Sequence, residues 1–195
     1  MNTQKIGQLM LWLSEEVPNL YITKLLKLLY LCDETAVKKT GVPITWLKYN
    51  VWQFGPVPVS VYNDLNFNNA SIYGDYVKGG VVKVDWSATE KEQLKISPVG
   101  VLNKKDFSIE ETLIIKHIID TYSHKTAKEL VKLLHQDNTL WHKIYLQKNL
   151  EKHFSLPECY TSPYEIDLSK LLKGDEQKLE QYKSMEEFRA FINVF

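Results

Sequence analysis

The feature that most constrains this chain is a helical pattern that begins at Ile22 and ends near Gly41. Leu28 and Leu31 lie on different sides of it, and a helix that is apolar nearly all round is normally buried. Gly41 can adopt the left-handed conformation in which helices often end. The sequence therefore predicts a central buried helix over residues 22–40. Its main apolar stripe has the helical spacing of three and four residues and consists of Ile22, Leu25, Leu26, Leu29, Cys32 and Ala36.

A second pattern, alternation, follows from Thr45 to Phe54. β-branched and aromatic residues favour an extended, partly covered segment, so this stretch is a predicted strand. We expect Gly55-Pro56 to stop it and Pro58 to open a short helix. One side of the strand would carry Leu47, Tyr49 and Val51, and the other Trp46, Lys48, Asn50, Trp52 and Phe54.

The remaining segments predict more helices and a small sheet. Gly79-Gly80 separates two β-forming runs, 72–78 and 81–86, as in a hairpin, and residues 94–97 are a candidate third strand. Capping-box patterns begin at Ser108, Thr126 and Ser184. Helices are also predicted over 3–14, around Trp141 and near 168–172. The predicted fold class is α+β and predominantly helical, a helix bundle around the central buried helix with a small antiparallel sheet or hairpin.

The balance of charge disfavours direct nucleic-acid binding. The 195 residues include 24 basic and 24 acidic side chains, and Arg189 is the single arginine. Surfaces that follow phosphates depend on clustered positive charge, with arginine favoured for bidentate contacts. Cys32 and Cys159 are expected to be reduced thiols of a cytoplasmic protein. No apolar run has the length of a membrane span, so no membrane association is expected.

No motif of catalysis or metal binding stands out. Adjacent acidic residues such as Glu110-Glu111 point in different directions on a helix and form no acid/base pair. Predicted caps or turns separate the histidines, and no acid or cysteine completes a ligand spacing. The sequence therefore gives no positive argument for an enzyme, a metal site or a cofactor. His135 is interpreted as a polar anchor that forms hydrogen bonds near Trp141, or alternatively as a pH-sensitive interface group.

Several short motifs, in order over roughly residues 20–145, carry a resemblance to a known family. They are KLLKLLY at Lys24–Tyr30, WQFGPV at Trp52–Val57 followed by Tyr62, and LVKLLH at Leu130–His135 followed by Trp141. Together they resemble the Panacea domain, or SocA-like antitoxin family, which includes phage- and mobile-element-associated proteins.

The resemblance implies an antitoxin that binds and neutralises a cognate protein toxin, in some relatives as an adaptor to a protease such as a Clp-type machine. It also implies a Panacea domain over residues 1–154, followed by a C-terminal extension over 155–195 where the resemblance fades. The final helix of this extension is short and must dock on something to be stable, so we expect it to dock on the same domain, with a partner surface as the alternative. The alternatives are a non-enzymatic regulatory or DNA-associated protein of a phage or mobile element, and an enzyme with an unfamiliar site.

The candidate partner-binding or motif residues are mostly apolar and aromatic. Tryptophan and tyrosine often anchor protein interfaces, but Trp46, Trp52 and Phe54 would also serve simply to cover the central helix. Both interpretations stay open at this point. The full set is Lys24, Lys27, Tyr30, Trp46, Trp52, Phe54, Gly55, Pro56, Val57, Tyr62, His135 and Trp141.

Overall fold

The computed structural model describes residues 3–67, 82–84 and 94–192, and it has the predicted class, a predominantly helical α+β fold. Within these ranges the α-helices are α1 (Thr3–Glu16), α2 (Ile22–Thr40), α3 (Val59–Phe67), α4 (Ile109–Tyr122), α5 (Ala127–Leu134), α6 (Leu140–Gln147), α7 (Leu150–Phe154) and α8 (Glu176–Ile192). The strands are β1 (Asn50–Trp52), β2 (Gly55–Val57), β3 (Val82–Val84) and β4 (Ile96–Pro98). Short 3₁₀ turns lie at Lys104–Asp106 and Leu168–Leu172.

Helix α2 occupies the centre, as its apolar pattern predicts. It packs against α1, α3, α4, α5, β2 and the 3₁₀ turn at Leu168–Leu172. Leu25, Leu28 and Leu29 are fully buried although they point in different directions. Gly41 ends the helix in the left-handed conformation, with φ +82° and its amide donating to the carbonyl of Val37. The other elements thus form a shell around α2.

The β1–β2 hairpin corrects the prediction that Gly55-Pro56 stops a long strand. The regular strand begins only at Asn50, and Gln53 and Phe54 form a two-residue turn. Gly55–Val57 then pairs antiparallel with β1, with Trp52 opposite Gly55. Proline is tolerated because β2 lies at the edge of a two-stranded ladder, where its missing N–H removes no pairing. The predicted alternation is nevertheless visible in burial, since Leu47, Tyr49 and Val51 are buried.

Strands β3 and β4 form a second antiparallel pair in which Val84 lies opposite Ile96. Both were predicted as strands. The proposed hairpin turn at Gly79-Gly80 and the run at 72–78 lie outside the described residues.

Two of the three predicted capping boxes are present. Ser108 and Thr126 each accept a hydrogen bond from the amide three residues on, and the glutamate at that position bonds back. The box at Ser184 is wrong, because α8 already begins at Glu176 and runs through it. Asp175 supplies the start instead, since its carboxylate accepts from the amide of Lys178 at 3.2 Å.

The segment after residue 155 runs along the free edge of β1. The amide of Val51 donates to Tyr164 at 2.8 Å, and that of Ile166 donates to Tyr49 at 2.7 Å. The side chain of Ile166 is buried, as are Leu168 and Leu172. In α8, by contrast, Tyr182 is the buried residue among those described. The segment therefore covers β1, and α8 lies on the outside.

Candidate functional site

The motif residues converge on the β1–β2 hairpin, beginning with a buried lysine. Lys27 lies on α2, is 1% exposed, and donates from Nζ to the carbonyl oxygen of Pro56 at 2.7 Å. Burial lowers the pKa of Lys27 to about 7, because the ammonium ion loses its hydration. The hydrogen bond from Lys27 to Pro56 ties the central helix to the hairpin.

Trp141 and His135 also hold the hairpin. The indole Nε1 of Trp141, on α6, donates to the carbonyl oxygen of Trp52 at 2.9 Å. The imidazole of His135, which follows α5, stacks on that indole with ring centroids 3.7 Å apart and planes inclined by 5°. Tyr62 of α3 also contacts the hairpin, since its ring is edge-on to Trp52 with centroids 4.8 Å apart.

His135 is an anchor by stacking rather than by the hydrogen bonding that the sequence suggested. Its Nε2 is buried and has no hydrogen-bond partner among the residues the structure describes. Burial, and then the nearby charges of Lys27 and His142, lower the pKa of His135 to about 4. The ring is therefore neutral at ordinary pH, where it serves as a flat, apolar surface for the indole.

Gly55 is required by two features of the site. Its φ of +99° is a conformation that side-chain-bearing residues rarely adopt. A Cβ at this position would also lie 3.3 Å from Cε of Lys27 and 3.6 Å from Nε2 of His135. The glycine therefore allows the lysine and the histidine to approach the hairpin backbone together.

We call this assembly the motif cluster, and it unites seven of the twelve candidate residues. It connects α2, β1, β2, α3, the end of α5 and α6 through side chains that are remote in sequence. Its members are Lys27, Trp52, Gly55, Pro56, Tyr62, His135 and Trp141.

The other candidates lie elsewhere. Val57 is buried, and Tyr30 is buried edge-on to Tyr49, with ring centroids 5.1 Å apart. Lys24 donates to the carbonyl oxygen of Ser123 at 2.6 Å. Trp46 is half-buried below α8, and Phe54 is 58% exposed at the tip of the hairpin. Phe54 is thus the one motif residue that is mainly at the surface.

Three contacts describe the surroundings of Trp46 and Phe54. The ring of Trp46 lies 5.1 Å from that of Tyr182 and 5.2 Å from the guanidinium carbon of Arg189. The ring of Phe54 is stacked on that of Tyr160, with centroids 6.4 Å apart. A cavity of about 650 Å³ adjoins Trp46, between the residues 43–50 and α8.

Asp33 is a buried polar residue that the sequence analysis did not single out. Its carboxylate accepts from the amide of Thr45 at 2.8 Å, from the Thr45 hydroxyl, and from the Tyr49 hydroxyl at 2.8 Å. Burial raises the pKa of Asp33 to about 6, although these hydrogen bonds oppose the shift. The sequence did contain a sign of this buried site. Asp33 lies on the buried side of α2, between Leu29 and Ala36, and a buried acidic residue requires polar partners. Asp33 fastens the segment that leads into β1.

Each of these three groups has a contact that holds the fold together. Lys27 donates to a backbone carbonyl oxygen, His135 stacks on an indole, and Asp33 accepts from one amide and two hydroxyls. Within residues 3–67, 82–84 and 94–192, no three His, Cys, Asp or Glu side chains are arranged to hold a metal ion. The helices in the same ranges include none long and apolar enough to cross a membrane. The described fold is that of a small, predominantly helical domain in which seven of the twelve motif residues meet at the β1–β2 hairpin.

That class of domain has a family assignment. The chain belongs to the family described as antitoxin SocA-like, Panacea domain, whose model matches residues 25–142. This confirms the resemblance drawn from the motifs, and every member of the motif cluster lies inside the matched range. The family is one of antitoxin-like domains, which implies a toxin as partner in general. Comparisons with curated proteins and with solved structures give no match.

Proposed function

We propose that this protein is an antitoxin that neutralises a cognate protein toxin by direct protein–protein binding and performs no catalysis. The family match over residues 25–142 is the observation that carries the proposal. The motif cluster supports it, because Lys27 and Trp141 donate to backbone carbonyl oxygens of the hairpin and His135 stacks on the indole, contacts that maintain the fold. Cytoplasmic action is consistent with the free cysteines Cys32 and Cys159.

We propose further that partner contact falls to the exposed motif position Phe54 and to the extension at 155–195. Tyr160 stacks on Phe54, and Phe188 of α8 is 57% exposed. Aromatic side chains supply much contact area at little cost in side-chain entropy, which suits interface anchors. In this proposal residues 1–154 form the Panacea domain and the extension adds the contacts that differ between toxins.

The functional test is expression of the neighbouring open reading frame with and without this protein. We expect the neighbour to arrest growth alone and growth to return on co-expression, with the two proteins purifying as a complex. A neighbour that is harmless alone, or that stays toxic in the presence of this protein, would refute the antitoxin assignment.

The proposed contact surface has its own test in the same assay. Phe54→Ser should weaken the complex while leaving the melting temperature nearly unchanged, because the side chain is mostly in water. Leu113→Ser is the matched control, since Leu113 is 61% exposed on α4 and lies outside the proposed surface. Equal affinity in both variants would place the interface elsewhere.

Neutralisation by occlusion and neutralisation by delivery to a protease are separated by toxin lifetime. Occlusion predicts that the bound toxin persists after synthesis is stopped, in wild-type cells and in cells that lack Clp-type proteases. An adaptor role predicts rapid, protease-dependent loss of the toxin only when this protein is present.

A further inference from the structure

A second cavity, which shares no lining residue with the motif cluster, has several basic residues in its wall. It measures about 470 Å³ and lies where the α1–α2 connection meets the turn between α4 and α5. Its wall combines apolar surface from Pro18, Tyr21 and Ala127 with basic side chains, and no carboxylate among the described residues lines it. The basic groups are Lys24, His124, Lys125 and Lys128.

Lys24 is the unusual member of this set. It is 7% exposed, and its ammonium group donates to one acceptor, the carbonyl oxygen of Ser123, at 2.6 Å. No carboxylate in the described ranges lies within ion-pair distance of it. Burial lowers the pKa of Lys24. The ammonium group is partly dehydrated and has no counter-ion among the described residues, and an anion that enters beside it would compensate its charge.

The rim of the cavity has the same sign. Lys125 is half-buried, and Lys128 is exposed in the first turn of α5, whose amino terminus adds positive potential. Glu129 lies next to this rim, but its carboxylate is held in the capping box by the amide and hydroxyl of Thr126, each at 2.7 Å. Three lysines therefore line or border the cavity, and the carboxylate of Glu129 beside them is already hydrogen-bonded to Thr126.

From this charge complementarity we infer that the cavity receives an acidic segment of the toxin, with a Glu or Asp carboxylate seated against Lys24; the inference rests on the proposed antitoxin function. The apolar part of the wall favours a side chain over an inorganic anion, because the methylene groups of glutamate cover Tyr21 and Ala127 whereas phosphate has no apolar surface. The lysines Lys125 and Lys128 then pair with flanking acidic residues.

The first experiment uses the full chain and a hexaglutamate peptide, followed by amide chemical shifts in NMR. We expect shifts confined to residues 18–24 and 123–128. The double variant Lys125→Glu/Lys128→Glu should weaken this binding by about tenfold or more, as removal of close charge pairs does. It should fold normally, because an added glutamate in the first turn of α5 favours the helix. Lys24→Met tests the buried cation itself.

A control variant at other lysines distinguishes binding in the cavity from a general effect of net charge. Lys152→Glu/Lys173→Glu changes the net charge equally, at exposed lysines that do not line the cavity. Equal weakening by both double variants, or shifts scattered over unrelated lysines, would overturn the inference. Binding of inorganic phosphate but not of hexaglutamate at this site would overturn the choice of an acidic polypeptide.

The toxin assay separates this inference from the antitoxin function. If wild-type protein restores growth and Lys125→Glu/Lys128→Glu does not, the cavity is supported as a toxin contact. If both restore growth with equal affinity for the toxin, the cavity inference fails and the antitoxin function stands. If wild-type protein itself does not restore growth, the function fails, and any hexaglutamate binding describes a site without the proposed partner.

Discussion

Replacing Lys27 by methionine tests the energetics of the motif cluster. Methionine has a similar length and no charge, so the variant fills the same space. It also leaves the carbonyl oxygen of Pro56 without the donor it has at 2.7 Å, a loss of about 1–3 kcal/mol that removal of the buried charge partly offsets. These two contributions to the free energy of unfolding oppose each other at any one pH, so the pH dependence is the informative quantity.

The sign of that dependence follows from the two states of the lysine. Its pKa is about 7 in the folded protein, against an ordinary value of 10.5. Between these values the unfolded chain binds a proton that the folded chain does not, so the free energy of unfolding rises with pH. From pH 7 to pH 8.5 the lysine alone should raise it by about 1.5 kcal/mol, since a full proton corresponds to about 1.4 kcal/mol per pH unit.

Urea unfolding of wild-type protein and of Lys27→Met at pH 7.0, 7.5, 8.0 and 8.5 measures this rise. Buried Cys32 and the buried tyrosines have raised pKa values and lower the stability at higher pH. They are common to both proteins, so the difference between the two curves isolates the lysine. Lys116→Met, at an exposed site on α4, should keep the wild-type slope. Parallel curves for wild type and Lys27→Met would refute a dehydrated, proton-releasing lysine in the cluster.

Three further changes test the same framework by equilibrium unfolding. Gly55→Ala should lower the free energy of unfolding by about 1–3 kcal/mol, and by more than Gly174→Ala does. Both glycines have positive φ, but only the Cβ at position 55 would lie near Lys27, at 3.3 Å from Cε. Equal losses would disprove the role of close approach. Trp141→Phe keeps an aromatic ring against His135 but leaves the carbonyl oxygen of Trp52 without its donor. The free energy of unfolding should therefore fall by about 1–3 kcal/mol, and an unchanged unfolding midpoint would contradict the importance of that hydrogen bond. For Asp33 the folded pKa of about 6 exceeds the ordinary 3.8, so the folded state keeps a proton that the unfolded state loses, and Asp33 by itself should lower the stability by about 2 kcal/mol as pH rises from 4 to 6. His135, whose pKa is lowered from 6.5 to about 4, raises the stability over the same range, so the quantity to measure is the difference between wild type and Asp33→Asn. Curves for the two proteins that stay parallel from pH 4 to 6 would locate the titrating group elsewhere.

Local patterns predicted most of the helices because each signal is contained in a few neighbouring residues. The stripe from Ile22 to Ala36 has helical spacing and apolar residues on several sides, which predicts a buried helix. The boxes at Ser108 and Thr126 satisfy their own amides. The same reasoning failed at Ser184, where a valid local pattern lies inside a helix that Asp175 had already begun. It failed at Gly55-Pro56 because the pairing of β2 with β1 depends on a partner strand, not on the intrinsic preference of the dipeptide.

The sequence by itself determined the class of fold, the central helix, the family and the absence of a recognisable catalytic motif, since these depend on periodicity and on ordered short motifs. Only the tertiary structure decided what the motif residues do. Lys27, Gly55, His135 and Trp141 are up to 114 positions apart in the chain, and whether they touch a partner or one another depends on how α2, the hairpin and α6 pack. Burial, hydrogen bonding and charge compensation are properties of that packing. Only the folded protein therefore shows that most of the motif residues are buried or half-buried, and that Lys24 has no counter-ion among the described residues.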